Sequence, residues 1–164
     1  MSADLVRAAQ GGDTMAMNDL LSELTPYLGR ICGPIALDNG PDAVQEALIA
    51  IFRNLESLRD PQALHGWARA IAVREAVRIA RRRHHAVELA ELPSRQDVES
   101  AVDIRDVLER LSPEHRAVLV LRDLEGLPEE EAARLLHVPE GTVKSRLHRA
   151  RRSFRKAWQS GGTS

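Results

Sequence analysis

Apolar residues recur every three or four positions along nearly the whole chain, and no stretch alternates apolar and polar residues long enough for a half-buried strand, so the sequence predicts an all-α fold. The first predicted helix covers Asp4 to Gln10 and stops at Gly11-Gly12. A second runs from about Thr14 to Cys32, with Met17, Leu20, Leu21, Leu24 and Leu28 as its stripe. Two glycines and two prolines between Gly33 and Pro41 predict a loop. Asp42 is then expected to cap a helix through Leu55, with Val44, Leu48, Ile51, Phe52 and Leu55 on one face and Gln45, Glu46, Ile49 and Arg53 elsewhere. After a turn at Arg59-Asp60-Pro61, a helix from Gln62 to Arg83 is expected to bury Leu64, Trp67 and Ile71, with Ala70 beside them. It ends in the run Arg81, Arg82, Arg83, His84, His85.

Residues 86–100 contain a proline, mixed charge and little sustained period, which predicts a linker between two small helical domains, 1–85 and 101–160. In the second domain, Val102, Ile104, Val107, Leu108 and Leu111 predict one helix. Ser112-Pro113-Glu114 starts another, lined by Val118, Leu119 and Leu121, and Gly126 ends it. Pro128 to Trp158 reads as two further helices joined by a very short turn at His137-Val138. Domains of this size have marginal cores, and the linker is expected to permit relative motion.

The 164 residues are 43% apolar and 29% charged, enough of each for a core and for solubility. No run approaches the roughly 18 apolar residues of a membrane span, and the N-terminus lacks a secretory apolar region, so a cytoplasmic location is expected. A lone cysteine, Cys32, rules out an intramolecular disulfide and a four-thiolate zinc site. The chain lacks the HExxH, GxSxG, GxxxxGK[ST] and GxGxxG motifs, and its six histidines lack metal-ligand spacing. Neither an enzyme nor a cofactor is expected.

The net charge of -1 hides a blocked distribution. Residues 1–60 carry 4 basic and 9 acidic side chains and residues 61–85 carry 6 and 1. The sign reverses over 86–139, with 6 and 13, and again over 140–164, with 7 and 1. Two basic islands, each ending a helical stretch, point to a two-point contact with a polyanion rather than to two solvated helix faces.

The segment LPEEEAARLLHVPEGTVKSRLHRARR has helix-turn-helix spacing, in which one helix packs across a second and presents it to the major groove. Val143, Leu147 and Ala150 form the expected buried stripe of the second helix. That leaves Thr142, Ser145, Arg149 and Arg152 as one exposed row and Lys144, His148 and Arg151 as the next. Such rows can reach base edges and phosphates.

GTVKSRLHRARR, the upstream LSPEHRAVLVLRDLEGL, and DAVQEALIAIFRNL with LRDPQALHGWARAIAVREAVRIARRR resemble bacterial sigma factors over nearly all of residues 1–158. The resemblance is to the extracytoplasmic-function class, which contains only the second and fourth sigma domains joined by a linker. It implies a dissociable subunit that gives core RNA polymerase promoter specificity, reading the minus-thirty-five element as duplex and the minus-ten element as melted single strand. By position, Asp42 to Leu55 would dock on the clamp helices of the polymerase β′ subunit through Asp42, Gln45, Glu46, Ile49 and Arg53. Lys144, Ser145, His148 and Arg149 match the positions nearest bases of the minus-thirty-five element, and Arg146, Arg151 and Arg152 would hold phosphates. The loop from Leu58 to Gly66 matches the pocket for a flipped base, and Arg81, Arg82 and Arg83 would grip backbone.

Four positions depart from the family pattern. Arg74 and Arg78, also counted on the DNA-facing helix, stand where the family often has Asn and a small or acidic polar residue. His137 occupies a turn position usually held by glycine, and Ala132 is smaller than the usual branched residue. Trp67 lies on the stripe with Leu64 and Ile71, which favours a core role over a base-stacking one. The resemblance also implies an anti-sigma factor able to occlude Leu48 to Phe52 or Val118 to Leu124. The competing reading is a free-standing helix-turn-helix regulator that binds duplex DNA alone as a dimer; it leaves the first basic island unexplained.

Overall fold

The computed structural model describes residues 1–90 and 104–162, with side chains described for 1–83 and 104–160. The described residues contain helices and no strand. They form two helical domains, α1 to α4 and α5 to α8.

Helix α1 (Ala3–Gln10) begins at Ser2, whose hydroxyl accepts from the Leu5 N–H, and ends at Gly11, with Gly12 in the left-handed region at φ 96°. Asp13 caps α2 (Thr14–Ala36) by accepting from the Ala16 N–H. The expected end at Cys32 is passed by one turn, so the predicted loop from Gly33 to Pro41 is mostly helical. Proline inside a helix removes a donor and clashes with the preceding turn, at about 3 kcal/mol. Pro26 and Pro34 both lie within α2, and burial of Ile31, Ile35 and Ala36 offsets that cost in the last turn. The chain reverses through a short 3₁₀ turn, Leu37–Asn39, with Leu37 at positive φ. It re-enters as α3 (Gly40–Asn54) so close to α2 that a Cβ on Gly40 would lie 3.3 Å from the Gly33 Cα. Of the two glycines that suggested a loop, Gly40 instead permits this contact between two helix backbones, whereas a Cβ on Gly33 would meet nothing within 4 Å.

Two stripes are rotated from expectation. Helix α3 starts at Gly40, so Asp42 lies exposed in its first turn rather than capping it. Its buried line is Ala43, Ala47, Ile51 and Leu55; Val44 and Leu48 are half-buried and Phe52 is 58% exposed. In α4 (Leu64–Ala90) the buried line is Leu64, Ala68, Ala72, Ala76 and Ala80 with Val73, while Trp67 and Ile71 pack at its edge. Closely packed helices favour small residues at the crossing, and the large side chains move to the flanks. Side-chain size alone points to those flanks, which is why the expected stripes are rotated from the buried lines. Helix α4 also continues to Ala90, into the predicted linker, whose remainder, residues 91–100, lies outside the described residues together with Val102.

In the second domain, α5 (Ile104–Glu109) leads to Ser112, whose hydroxyl caps α6 (Pro113–Leu119) by accepting from the His115 N–H. A π-helical stretch, Val120–Leu124, extends α6 to Gly126 at φ 68°. Helices α7 (Glu129–Leu136) and α8 (Glu140–Gly162) are joined at His137, which adopts φ 55° and ψ 44° and closes α7 with its N–H on the Ala133 and Arg134 carbonyls. The expected buried stripe of α8, Val143, Leu147 and Ala150, is buried.

The two domains pack together. One cluster of buried apolar side chains runs from Val6 through α2, α3 and α4 to Ala117, Val120, Leu121, Ala132 and Val143 of the second domain. Each domain thus adds apolar area to a shared core.

Two predictions follow from this packing. Burial, with Glu75 nearby, pushes the Cys32 thiol up to about 12, and Sγ lies 3.7 Å from the Ala72 carbonyl. Roughly one thiol in ten thousand is then ionised at pH 8. Alkylation of the native protein should follow global opening, with immediate reaction in denaturant; fast native labelling would show the α2–α4 contact to be loose. The left-handed conformation costs a residue with a Cβ about 1 to 2 kcal/mol. His137→Gly should therefore raise the urea midpoint and His137→Val should lower it.

Candidate nucleic-acid interface

The buried stripe of α8 fixes what its other faces present. Lys144, Ser145, His148, Arg149 and Arg152 are exposed along one side of the helix, spaced so that successive turns align. Ser145 Oγ donates to the Thr142 carbonyl at 3.1 Å, which tucks it against the helix, and Thr142 is half-buried rather than in the exposed row. Arg151 is exposed and donates through Nε (3.1 Å) and Nη2 to the Asp123 carboxylate. That hydrogen bond raises its pKa. Arg146 departs from the others: it is half-buried and lines a cleft between the domains. Burial, with Arg146 and Arg149 close by and Glu114 opposing, holds the neighbouring His115 below the ordinary imidazole range.

The first basic island lies along α4. Arg74, Arg81, Arg82 and Arg83 are exposed. Arg78 donates to Glu75 through Nε (3.0 Å) and Nη2, a contact that raises its pKa, and lies 3.8 Å from Glu46 on α3. The departure at Arg78 is therefore met by two carboxylates from this chain. Two further arginines reach the second domain: Arg69 Nη2 is 3.1 Å from Glu131 on α7, and Arg81 pairs with Glu114 on α6. Burial works to raise the Glu114 carboxyl, but the Arg81 hydrogen bond and nearby charges hold it below the usual carboxylate range.

On α3, Asp42, Gln45, Glu46 and Arg53 are exposed, and with them Ile49 (39%) and Phe52 (58%). Exposed apolar residues rimmed by charges form a surface suited to a protein partner. Phe52 belongs to this surface, although its size suggested a place in the core.

Sequence reasoning missed several residues. Gln10 donates to the Leu55 and Leu58 carbonyls at 3.0 and 2.8 Å, and so holds the start of the Leu58–Gly66 segment. Within that segment Asp60 accepts from the Gln62 N–H, and a 3₁₀ turn, Pro61–Ala63, leads into α4. Phe154 and Trp158 stack with ring centroids 6.3 Å apart and, with Ile104 (56% exposed), line a shallow apolar pocket at the far end of α8. Their i, i+4 spacing was the available signal. Arg116, buried among backbone carbonyls, had none. Among the described residues, no group of His, Cys, Asp or Glu side chains could hold a metal ion, and no helix is long and apolar enough to cross a membrane.

Comparison with known proteins agrees with this two-domain arrangement. The sigma-70 region 2 family model matches residues 27–86, and that for sigma-70 region 4 matches residues 101–154. The chain is 33% identical over 174 residues to the ECF RNA polymerase sigma-E factor of Haemophilus influenzae, covering 90% of this chain and 89% of that one. It is 32% identical over 158 residues to the ECF RNA polymerase sigma factor SigM of Mycobacterium tuberculosis, covering 92% and 81%. Two solved structures share its fold: CnrH in complex with the cytosolic domain of CnrY (TM-score 0.65, 23% identity, 96% and 97% covered), and RpoE of Bartonella quintana with the anti-sigma factor NepR (0.66, 24%, 86% and 97%). The chain belongs to the extracytoplasmic-function class of the sigma-70 family, the regulatory subunits that direct RNA polymerase to begin transcription at specific promoters.

Proposed function

We propose that the three exposed surfaces divide promoter recognition and polymerase docking between them as the family resemblance implies. The observation that carries this is the orientation of α8. Burial of Val143, Leu147 and Ala150 leaves Lys144, Ser145, His148 and Arg149 facing outward, in the position of a recognition helix that meets base edges of the minus-thirty-five element. Arg152 holds a phosphate beside them. Arg151 does the same once it leaves Asp123, and Arg146 once the interdomain cleft opens. On α4, Arg74, Arg78 and the run Arg81 to Arg83 track the melted minus-ten strand, for which a row of guanidinium groups supplies backbone contacts and cation–π stacking.

The exposed face of α3 docks on core polymerase through Asp42, Gln45, Glu46, Ile49 and Arg53, with Phe52 added as an apolar anchor. The protein works in the cytoplasm and is regulatory rather than catalytic. An anti-sigma factor that covers one of these surfaces is the natural regulator, a reading supported by the bound partner in each solved structure of similar fold. A free-standing duplex-binding regulator would leave the α3 face and the α4 arginines without a role.

Arg149→Ala should cost about 1 to 3 kcal/mol of promoter binding and relax preference at one upstream base pair, whereas Arg152→Ala should weaken all sequences alike. Run-off transcription by the holoenzyme on a promoter library separates the two; a uniform loss from both would remove α8 from base reading. Glu46→Lys should weaken core binding while shifting stability by less than about 0.5 kcal/mol, because Glu46 is exposed and its one carboxylate contact, to Arg78, is long. Unchanged core affinity would move the docking surface off α3.

A further inference from the structure

Helix α1 is pinned to α2 by its buried residues Val6 and Ala9, and the Gly11-Gly12 turn fixes where it ends. Gln10, its last residue, therefore has a defined place beside the end of α3. The Gln10 side-chain amide donates through Nε2 to the Leu55 carbonyl at 3.0 Å and to the Leu58 carbonyl at 2.8 Å, across 45 and 48 residues of sequence. Both protons of the amide nitrogen are used. The Leu55 carbonyl also accepts from the Leu58 N–H at 3.1 Å, whereas among the described residues no other group donates to the Leu58 carbonyl. Gln10 thus satisfies acceptors that the end of α3 leaves without helical partners.

The loop of residues 58–66 starts at this anchor. Leu58 and Leu64 are buried, which fixes its two ends, while Arg59, Asp60, Gln62, Ala63 and His65 are exposed between and beside them. The Asp60 carboxylate accepts from the Gln62 N–H at 2.9 Å and the Asp60 carbonyl from the Ala63 N–H at 2.9 Å, so the turn has one shape. Helix α1 also packs against the 3₁₀ turn Pro61–Ala63. The His65 ring meets the Tyr27 ring edge-on with centroids 5.3 Å apart. Taking a base out of the stack costs free energy, and a site that must itself be ordered at the same step returns less of it. We propose that Gln10 is a positioning residue for base capture: its amide holds the 58–66 loop in the shape that admits a flipped base of the melted minus-ten strand. Helix α1 then takes part in minus-ten selectivity without touching DNA. The proposal rests on the reading of that loop as the base pocket.

The chemistry needed at this position is restrictive. Two carbonyl oxygens require two donors from one side chain, which a carboxylate of the same size lacks and an apolar chain of the same length lacks as well. An ammonium on a flexible stem has donors to spare and reaches as far. Because Gln10 is half-buried, water reaches carbonyls freed by its loss, and the large buried side chains Leu20, Leu24 and Leu28 are untouched. The effect of removing the amide therefore falls on the order of the loop rather than on the folding of the domain.

The test uses the full chain bound to core polymerase. Fluorescence anisotropy reads its affinity for a single-stranded minus-ten oligonucleotide, taken from a promoter located by run-off transcription, and for the same strand with one abasic site walked along it. With the parent chain, one abasic position should weaken binding about tenfold, the scale of one lost base contact. With Gln10→Met the intact strand should bind nearly as weakly as that abasic strand, so the penalty at this position falls below about twofold while the other positions keep theirs. Gln10→Lys, which restores two donors, should recover most of the penalty. A full penalty retained by Gln10→Met, an equal loss on every strand, or no recovery with Gln10→Lys would overturn the positioning role. So would a Gln10→Met chain that does not fold, since the amide would then serve the domain and not the loop. A parent holoenzyme with no position-specific penalty would instead overturn the reading of the loop as a base pocket.

Discussion

The buried guanidinium of Arg116 joins the two halves of the molecule, and much of the remaining arrangement depends on it. An arginine with 5% exposure is sustained only where its donors meet acceptors, and three backbone carbonyls from α5, the turn after it and α2 supply them. Burial pulls its pKa down, with Glu114 and Glu109 opposing, yet a guanidinium stays charged throughout the physiological range. Because its reach ends on a helix C-terminus, it sets where α6 sits against α2. That position in turn places α7 over α4 and Arg146 in the cleft. A neutral side chain of similar length would leave the Ile35 carbonyl without this partner.

Small residues provide the second constraint. Ala43 and Ala47 of α3, and Ala68, Ala72, Ala76 and Ala80 of α4, are buried lines along which α2, α3 and α4 approach closely; Gly33 and Gly40 carry this to near-contact of backbones. Large side chains such as Phe52, Ile49 and Trp67 are consequently displaced toward the surface. On α3 this puts apolar area beside Gln45, Glu46 and Arg53. The composition that builds the core therefore also sets the mixed apolar and charged character of the exposed α3 face.

Electrostatics acts on the same helices. A chain with net charge -1 but strongly alternating blocks can satisfy its basic islands either with its own carboxylates or with nucleic acid. Arg78 with Glu75, Arg81 with Glu114 and Arg151 with Asp123 are the internal option. These pairs are at least partly solvated, so each adds little to stability by itself.

Periodicity alone determined the helical class, the caps at Ser112 and the glycine stops, and the α8 stripe, because each follows from local geometry within one or two turns. The two basic islands were equally plain in the order of charges. Tertiary structure alone decided which residues of α3 and α4 are buried. Crossing distance selects alanine over larger side chains, and no single helix contains that distance. It decided that α2 runs through Pro34, where Ile35 and Ala36 of the last turn are buried in the core. It also decided the roles of Gln10 and Arg116, whose backbone acceptors lie 45 and 81 residues away in the chain, beyond the reach of any local pattern.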